Sequence, residues 1–266
     1  MSRITTTKLQ EMKKASRKIT MLTAYDYSMA RILDNCGVDI LLVGDSLSMV
    51  MLGNENTLPV TMDEMVIFTK AVAKGTTNAL VVADMPFLSY KIDLKDAVSN
   101  AGRFIKEAGA RAVKVEGGEH IAKTILSMIH ADIPVMGHLG LTPQAIHQIG
   151  GYKIQGKTNQ TAKELIKDAK ILEEVGVFAL ILECIPYELA QEITQTIDIP
   201  TIGIGAGPYC DGQVLVIHDV LGLYEEVKPK FVRKYADFKS IITEAVSKYT
   251  NDVTQGKFPT LEESYD

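Results

Sequence analysis

Short runs rich in Val, Ile and Leu return along the chain, each followed by a turn and then by a stretch with apolar residues at helical spacing. The runs fall at 19–24, 39–44, 79–84, 112–116, 134–138, 178–183, 200–204 and 214–218. Helical patterns follow near 27–36, 62–74, 94–108, 119–130, 142–149, 161–175 and 187–196, with another near 231–249 after Pro229. Leu9, Met12 and Ile19 point to an N-terminal helix running into the first strand. Strands that alternate with helices are joined by crossovers and lie parallel. Eight such units predict a closed (β/α)8 TIM barrel, whose usual length is about 250 residues; this chain has 266. An open doubly wound sheet is the alternative, because periodicity does not report closure. The expected organisation over 1–266 is a single α/β barrel domain with an N-terminal helix, a C-terminal helix and a docked tail carrying Phe258, Leu261 and Tyr265.

Composition narrows the function. A net charge of −5, with Lys and Arg scattered among acids, argues against a nucleic-acid partner, which needs a clustered basic surface. No apolar run approaches the ~18 residues of a membrane span. The N-terminal stretch is polar and basic without the apolar core of a secretory signal; its helical spacing is preferred to a transit-peptide reading. Cys36, Cys184 and Cys210 are far apart and make no zinc pattern, which fits a reducing compartment. A cytoplasmic enzyme acting on small molecules is the expectation.

Four apolar runs each end on an acid: Asp45, Asp84, Glu116 and Glu183. In a parallel barrel all strands end on one face, and that face carries the active site. Acids distant in sequence would converge there, and buried like charges need a counter-ion. A hard divalent cation with oxygen ligands, such as Mg2+, suits carboxylates better than it suits Cys or His. The competing reading is that each acid caps the helix after it. In Ala112-Val113-Lys114-Val115-Glu116, alternation puts Lys114 and Glu116 on one face and the valines on the other, so Lys114 points into the barrel. It either makes a structural salt bridge with Glu116 or binds a substrate carboxylate or enolate. His138 and His218 both end apolar runs at the same rim; a pocket role is favoured for His138, and loop support for His218. Gly203, Gly205 and Gly207 after the seventh run could receive a phosphate or flat ligand, or serve tight packing. The segments 44–62 and 150–158 are long polar connections of the kind that cover sites.

The strings GDSLSMVMLGNENTLPVT (44–61), ADMPFLSY (83–90), VKVEGG (113–118), GHLGLTPQ (137–144), GGYKIQGKT (150–158), LECIP (182–186) and IPTIGIGAG…CDGQVLVIHD (199–219) occur in order and span nearly the whole chain. Together they resemble the ketopantoate hydroxymethyltransferase family. The resemblance implies a barrel of the phosphoenolpyruvate/pyruvate type and transfer of a hydroxymethyl group from 5,10-methylenetetrahydrofolate to 3-methyl-2-oxobutanoate, giving 2-dehydropantoate. It implies that Asp45, Asp84 and Glu116 hold magnesium, partly through water. Asp45, Ser46, Asp84 and Lys114 would contact the oxo acid, with His138 in the substrate pocket. Glu183 would be the general base, and the assembly a homodecamer. Ser48 stands where many members have Gly, and Asn54 where many have His or an aromatic residue, which puts the packing of the 44–62 loop or its folate contacts in question. The nearest rival is a carbon–carbon lyase or mutase of the isocitrate lyase/phosphoenolpyruvate mutase type, but the Lys-Lys-Cys-Gly-His loop of its cleaving members is missing here.

Overall fold

A computed structural model describes residues 3–223 and 229–266. They fall into two compact units, Met1–Val216 and Ile217–Asp266. Thr5 caps α1 (Thr6–Lys14), which leads into β1 (Ile19–Thr23). There follow α2 (Tyr27–Asn35), β2 (Ile40–Val43), α3 (Leu47–Val50), α4 (Met62–Gly75), β3 (Leu80–Asp84), α5 (Leu94–Arg103) and β4 (Ala112–Glu116). The first unit continues with α6 (Ala122–His130), β5 (Val135–Gly140), α7 (Ile146–Ile149), α8 (Asn159–Glu174), β6 (Ala179–Glu183), α9 (Tyr187–Thr196), β7 (Thr201–Ile204) and β8 (Gly212–Leu215).

The eight strands pair in sequence order, all parallel, and β8 returns to β1, so the sheet is a closed barrel and not the open alternative. Alternate residues of the strands (Ile40 and Leu42, Leu80 and Val82, Ala179 and Ile181) join one buried cluster with Met21, Ala112, Met136 and Ile202. β2 to β7 are buried on both sides, toward this cluster and toward the helices, which is why they read as unbroken apolar runs, whereas Thr20 of β1 and Gln213 of β8 are exposed. Leu9 and Met12 of α1 enter the same cluster, and the Lys13 ammonium ties α1 to the carbonyls of Thr194, Ile197 and Ile199.

Most expected elements stand within two residues of their place, and the departures have local causes. The 94–108 helix changes to a π-helical turn over Phe104–Ala108 and stops at Gly109. The 44–62 loop holds a short helix, α3, before Thr61 starts α4 through a reciprocal capping box with Glu64. The last strand begins two residues earlier than its apolar run because Gly212 and Gln213 pair with β1 and β7. A Cβ on Gly212 would lie 2.5 Å from the Ile19 carbonyl oxygen, so glycine permits the close approach that shuts the barrel. His218 is therefore not at a strand end: it lies in α10 (Ile217–Leu221) of the second unit.

In that second unit the helix expected near 231–249 is α11 (Phe238–Thr254), capped by Asp237. Part of the proline-marked approach to it, 224–228, lies outside the described residues. Phe258 packs edge-on against Tyr249, with ring centroids 5.7 Å apart, while Leu261 and Tyr265 stand exposed. Among the described residues no helix is long and apolar enough to cross a membrane.

Candidate active site

Register decides which side chains meet at the carboxyl ends of the strands. Asp84 on β3 pairs with Lys114 on β4, and Glu116 on β4 pairs with His138 on β5. Residues paired across parallel strands project to the same face, and Lys114 and Glu116 share a face by alternation. Two layers result: Asp84 beside Lys114, and Glu116 beside His138. Gly140 pairs with Glu183, which brings the end of β6 alongside. Asp45 lies past the end of β2, where the chain turns, and its backbone N–H donates to Asp84 Oδ2 at 3.0 Å.

The side chains form one continuous network. Lys114 Nζ lies 2.8 Å from Asp84 Oδ1, 3.9 Å from Glu116 Oε1 and 3.3 Å from His138 Nδ1. The His138 ring faces Glu116 Oε1 through Nδ1 at 3.5 Å and Glu183 Oε2 through Nε2 at 3.2 Å. Asp45, Asp84, Lys114, Glu116 and His138 are buried, and Glu183 is half-buried at the edge. The structure brings these six residues together at the carboxyl ends of the strands. Ser46 adjoins them: it is half-buried, with its hydroxyl 2.8 Å from that of Tyr25.

Electrostatics explains what such a cluster lacks. Burial, then the Asp84 and Glu116 charges, push the Asp45 carboxyl up to about 8. Burial also raises Asp84, against the pull of Lys114. Burial disfavours the Lys114 charge, but Asp84, Glu116 and Asp45 outweigh it and hold the ammonium above its ordinary value. Burial and Lys114 likewise oppose protonation of His138, yet hydrogen bonding to Glu116 and Glu183 raises it to about 9. Glu116 is lowered despite burial, because His138, Lys114 and the Gln144 backbone N–H all favour its charge. Four carboxyls face two cationic side chains, and burial together with this imbalance favours the protonated form of Asp45.

Among the described residues no three His, Cys, Asp or Glu side chains are gathered to hold a metal ion as they stand; the Lys114 ammonium sits at Asp84 Oδ1. The donors nevertheless fit a hard divalent cation. Asp84 Oδ1 and Glu116 Oε1 are buried and face Lys114 and His138 only as ion pairs, outside hydrogen-bond geometry, and the available ligands are carboxylate oxygens. An ion that completes its shell with water and substrate oxygens needs few direct protein ligands.

Three supporting features were not read from the sequence. Gln144 donates from Nε2 to Asp45 Oδ2 and to the Met85 carbonyl, both at 2.9 Å, and its backbone N–H donates to Glu116 Oε2 at 3.0 Å. The Tyr90 hydroxyl accepts from the Glu116 backbone N–H at 3.0 Å and meets Gln144 Oε1 at 2.8 Å. Tyr90 sits in a turn and Gln144 in a single 3-10 turn, Pro143–Ala145, too short for periodicity to mark an inward side chain. Cys184, directly after Glu183, has φ +48, a conformation rare for a residue with a side chain, and its carbonyl accepts from Gln155 N. The thiol itself is pushed up to about 12 by burial and by Glu183, which disfavours the thiolate at neutral pH. The two departures in the 44–62 loop bond to each other: Asn54 Nδ2 donates to Ser48 Oγ at 3.2 Å, and Ser48 Oγ donates to the Asn56 carbonyl at 2.8 Å. They brace the loop internally. Gly207, the last glycine after β7, has φ +78 and lies against Tyr187, a packing role.

Fold and site define a closed (β/α)8 barrel with a buried cluster of carboxyls, Lys114 and His138 at the carboxyl ends of its strands. Phosphonopyruvate hydrolase, solved in complex with oxalate and Mg++, superposes with a TM-score of 0.63 at 12% identity, over 99% of this chain and 93% of that one. The 2,3-dimethylmalate lyase, a member of the phosphoenolpyruvate mutase/isocitrate lyase superfamily, gives 0.60 at 14% identity, over 98% and 91%. At such identities the likeness is one of fold. The family model for ketopantoate hydroxymethyltransferase matches residues 3–261. The 3-methyl-2-oxobutanoate hydroxymethyltransferase of Geobacter metallireducens is 58% identical over 251 residues, covering 94% of each chain. That of Thermoanaerobacter sp. is 55% identical over 263 residues, covering 99% of this chain and 96% of the relative. The chain belongs to the ketopantoate hydroxymethyltransferase family and is a transferase.

Proposed function

We propose that the chain transfers a hydroxymethyl group from 5,10-methylenetetrahydrofolate to 3-methyl-2-oxobutanoate, giving 2-dehydropantoate for pantothenate synthesis in the cytoplasm. Family membership supports the reaction. The observation that carries the mechanism is the unbroken file of Asp84, Lys114, Glu116, His138 and Glu183, which sets a base at one end and a buried cation beside a carboxylate cluster at the other.

Asp45, Asp84 and Glu116 would hold Mg2+, in part through water, and the ion would supply Lewis-acid stabilisation of the oxo acid as C3 becomes anionic. Lys114 and Ser46 hold the carboxylate end of the oxo acid, and Lys114 also offsets the charge that develops on the enolate oxygen. Glu183 takes the C3 proton. It sits apart from the three carboxyls assigned to the ion, and a ligated carboxylate would be a poor base. His138 fixes the Glu183 carboxylate from the side away from solvent and borders the substrate pocket. Water replaces both carbon–nitrogen bonds of the methylene bridge, releasing tetrahydrofolate and formaldehyde; the C3 electron pair then bonds to the formaldehyde carbon, and its oxygen takes the proton that Glu183 removed and becomes the new hydroxyl.

Glu183→Gln tests the base directly. With 3-methyl-2-oxobutanoate and Mg2+ in deuterated water, the native enzyme is expected to wash the C3 hydrogen into solvent without folate, and the variant to lose this exchange by about 100-fold or more. Exchange at the native rate in the variant would remove Glu183 from the role. We also propose that the chain is a homo-oligomer, as the family's decamers imply. Ile242, Val246, Tyr249 and Val253 recur at four- and three-residue steps along α11 and stand exposed, an apolar face of the kind a second copy covers.

A further inference from the structure

The three carboxyls assigned to the cation share a pattern: each has one oxygen tied down. Asp84 Oδ2 accepts from the Asp45 backbone N–H at 3.0 Å, Asp45 Oδ2 from Gln144 Nε2 at 2.9 Å, and Glu116 Oε2 from the Gln144 backbone N–H at 3.0 Å. Gln144 therefore holds two of the three. It is buried at 3% exposure, and its amide is fixed at every polar atom. Nε2 lies 2.9 Å from the Met85 carbonyl, which only accepts, as well as from Asp45 Oδ2, so it must be the NH2 end. Oε1 faces the Tyr90 hydroxyl at 2.8 Å; that hydroxyl accepts from Glu116 N, and its one proton has Oε1 as the nearer acceptor and the Glu116 carbonyl, at 3.2 Å, as the farther. No flipped amide would satisfy this set, and a neutral amide adds no charge to a cluster already short of cations.

We propose that Gln144, locked by Tyr90, is a positioning residue that keeps Asp45 and Glu116 monodentate and thereby selects Mg2+ over Ca2+; the inference rests on reading the cluster as a divalent-cation site. A carboxylate with one oxygen engaged by a fixed donor presents the other alone. Mg2+ binds carboxylates in that way, with near-octahedral geometry at short distance. Ca2+ takes a larger, flexible shell and often uses both oxygens. Loosening the tether should harm the ion that demands fixed geometry and spare the ion that adapts. Outer partners of metal ligands commonly contribute about 10- to 100-fold in affinity.

The test is calorimetric titration of the chelator-stripped full-length protein with MgCl2 and, separately, CaCl2, for native protein, Gln144→Met and Tyr90→Phe, with circular dichroism and thermal melting of each. Gln144→Met keeps the length of the side chain and the backbone donor to Glu116, and removes only the amide. Mg2+ binding is expected to weaken about 10- to 100-fold, Ca2+ binding to weaken less, and the preference to move toward calcium. Tyr90→Phe, which removes the hydroxyl that orients the amide, is expected to move in the same direction and carries the test if Gln144→Met does not fold. A folded variant with native Mg2+ affinity overturns the proposal. Equal loss for both ions overturns the selectivity claim, because a merely structural role weakens both alike. Native protein that binds neither ion overturns the cation reading itself, and this inference with it; native binding with unchanged variants overturns only the role of Gln144.

Discussion

Replacing Lys114 by methionine would take a buried cation from among four carboxyls while nearly preserving side-chain length. In the native chain the Lys114 and Asp84 side chains are 4% and 3% exposed and their charged atoms lie 2.8 Å apart, so water does little to screen the pair. Breaking a buried pair by deleting one partner costs about 3–5 kcal/mol, since the survivor is left charged in a poor solvent. In a chain of this size each kcal/mol moves the melting midpoint by about 2–4 °C, so a fall of roughly 6–20 °C is expected. The pH dependence identifies the cause. In the folded chain Asp45 already holds its proton to about 8, against an ordinary 3.8, and removing the Lys114 charge lifts Asp45 and Asp84 further. A carboxyl whose folded-state pKa lies above its unfolded one favours folding while protonated, and that contribution is lost as pH rises. The variant's deficit should thus be smallest near 3.8 and widen as pH climbs through 8. Urea midpoints of both proteins, measured without divalent ions at about pH 5.5 and about pH 8.5, read the difference. An equal deficit at both pH values would mean that Lys114 acts by packing and would refute the electrostatic account; no deficit at all would refute the pair.

Asp84→Ala is expected to stay folded, by circular dichroism, and to lose calorimetric Mg2+ binding; unchanged affinity would contradict its place in the ion's shell. In the native protein Mg2+ must displace the Asp45 proton, so affinity should rise with pH up to about 8 and then level. A pH-independent binding isotherm would show that Asp45 is not a ligand. Gly140 has φ +93, and a methyl there would run into the Glu183 carbonyl oxygen. Gly140→Ala should therefore cost about 1–3 kcal/mol in stability and lower kcat by shifting Glu183, whereas native kcat with native stability would show that the strand end is free to adjust. Placing aspartates at Val246 and Tyr249 of α11 should yield a smaller species in light scattering, and an unchanged mass would move the interface elsewhere.

The sequence by itself determined the strand-and-helix alternation and the acids at the ends of four runs. Both follow from local rules: strands buried on two faces must be apolar throughout, and charge must wait until the strand leaves the core. Alternation alone also put Lys114 and Glu116 on one face. Eight alternating units also predicted the closed barrel that forms, but not the full contact that shuts it: β8 meets β1 from Gly212 to Leu215, and Gly212 and Gln213 carry no strand signal. The same blind spot put His218 at a strand end when it belongs to a helix. Only the tertiary structure decided which groups touch. Register between neighbouring strands set Asp84 against Lys114 and Glu116 against His138. The turn after β2 brought Asp45 to Asp84. Gln144 and Tyr90, from a 3-10 turn and a loop distant in sequence, supplied the hydrogen bonds that hold the acids still. Such contacts arise from pairing across the fold, and a residue's neighbours along the chain give no account of them.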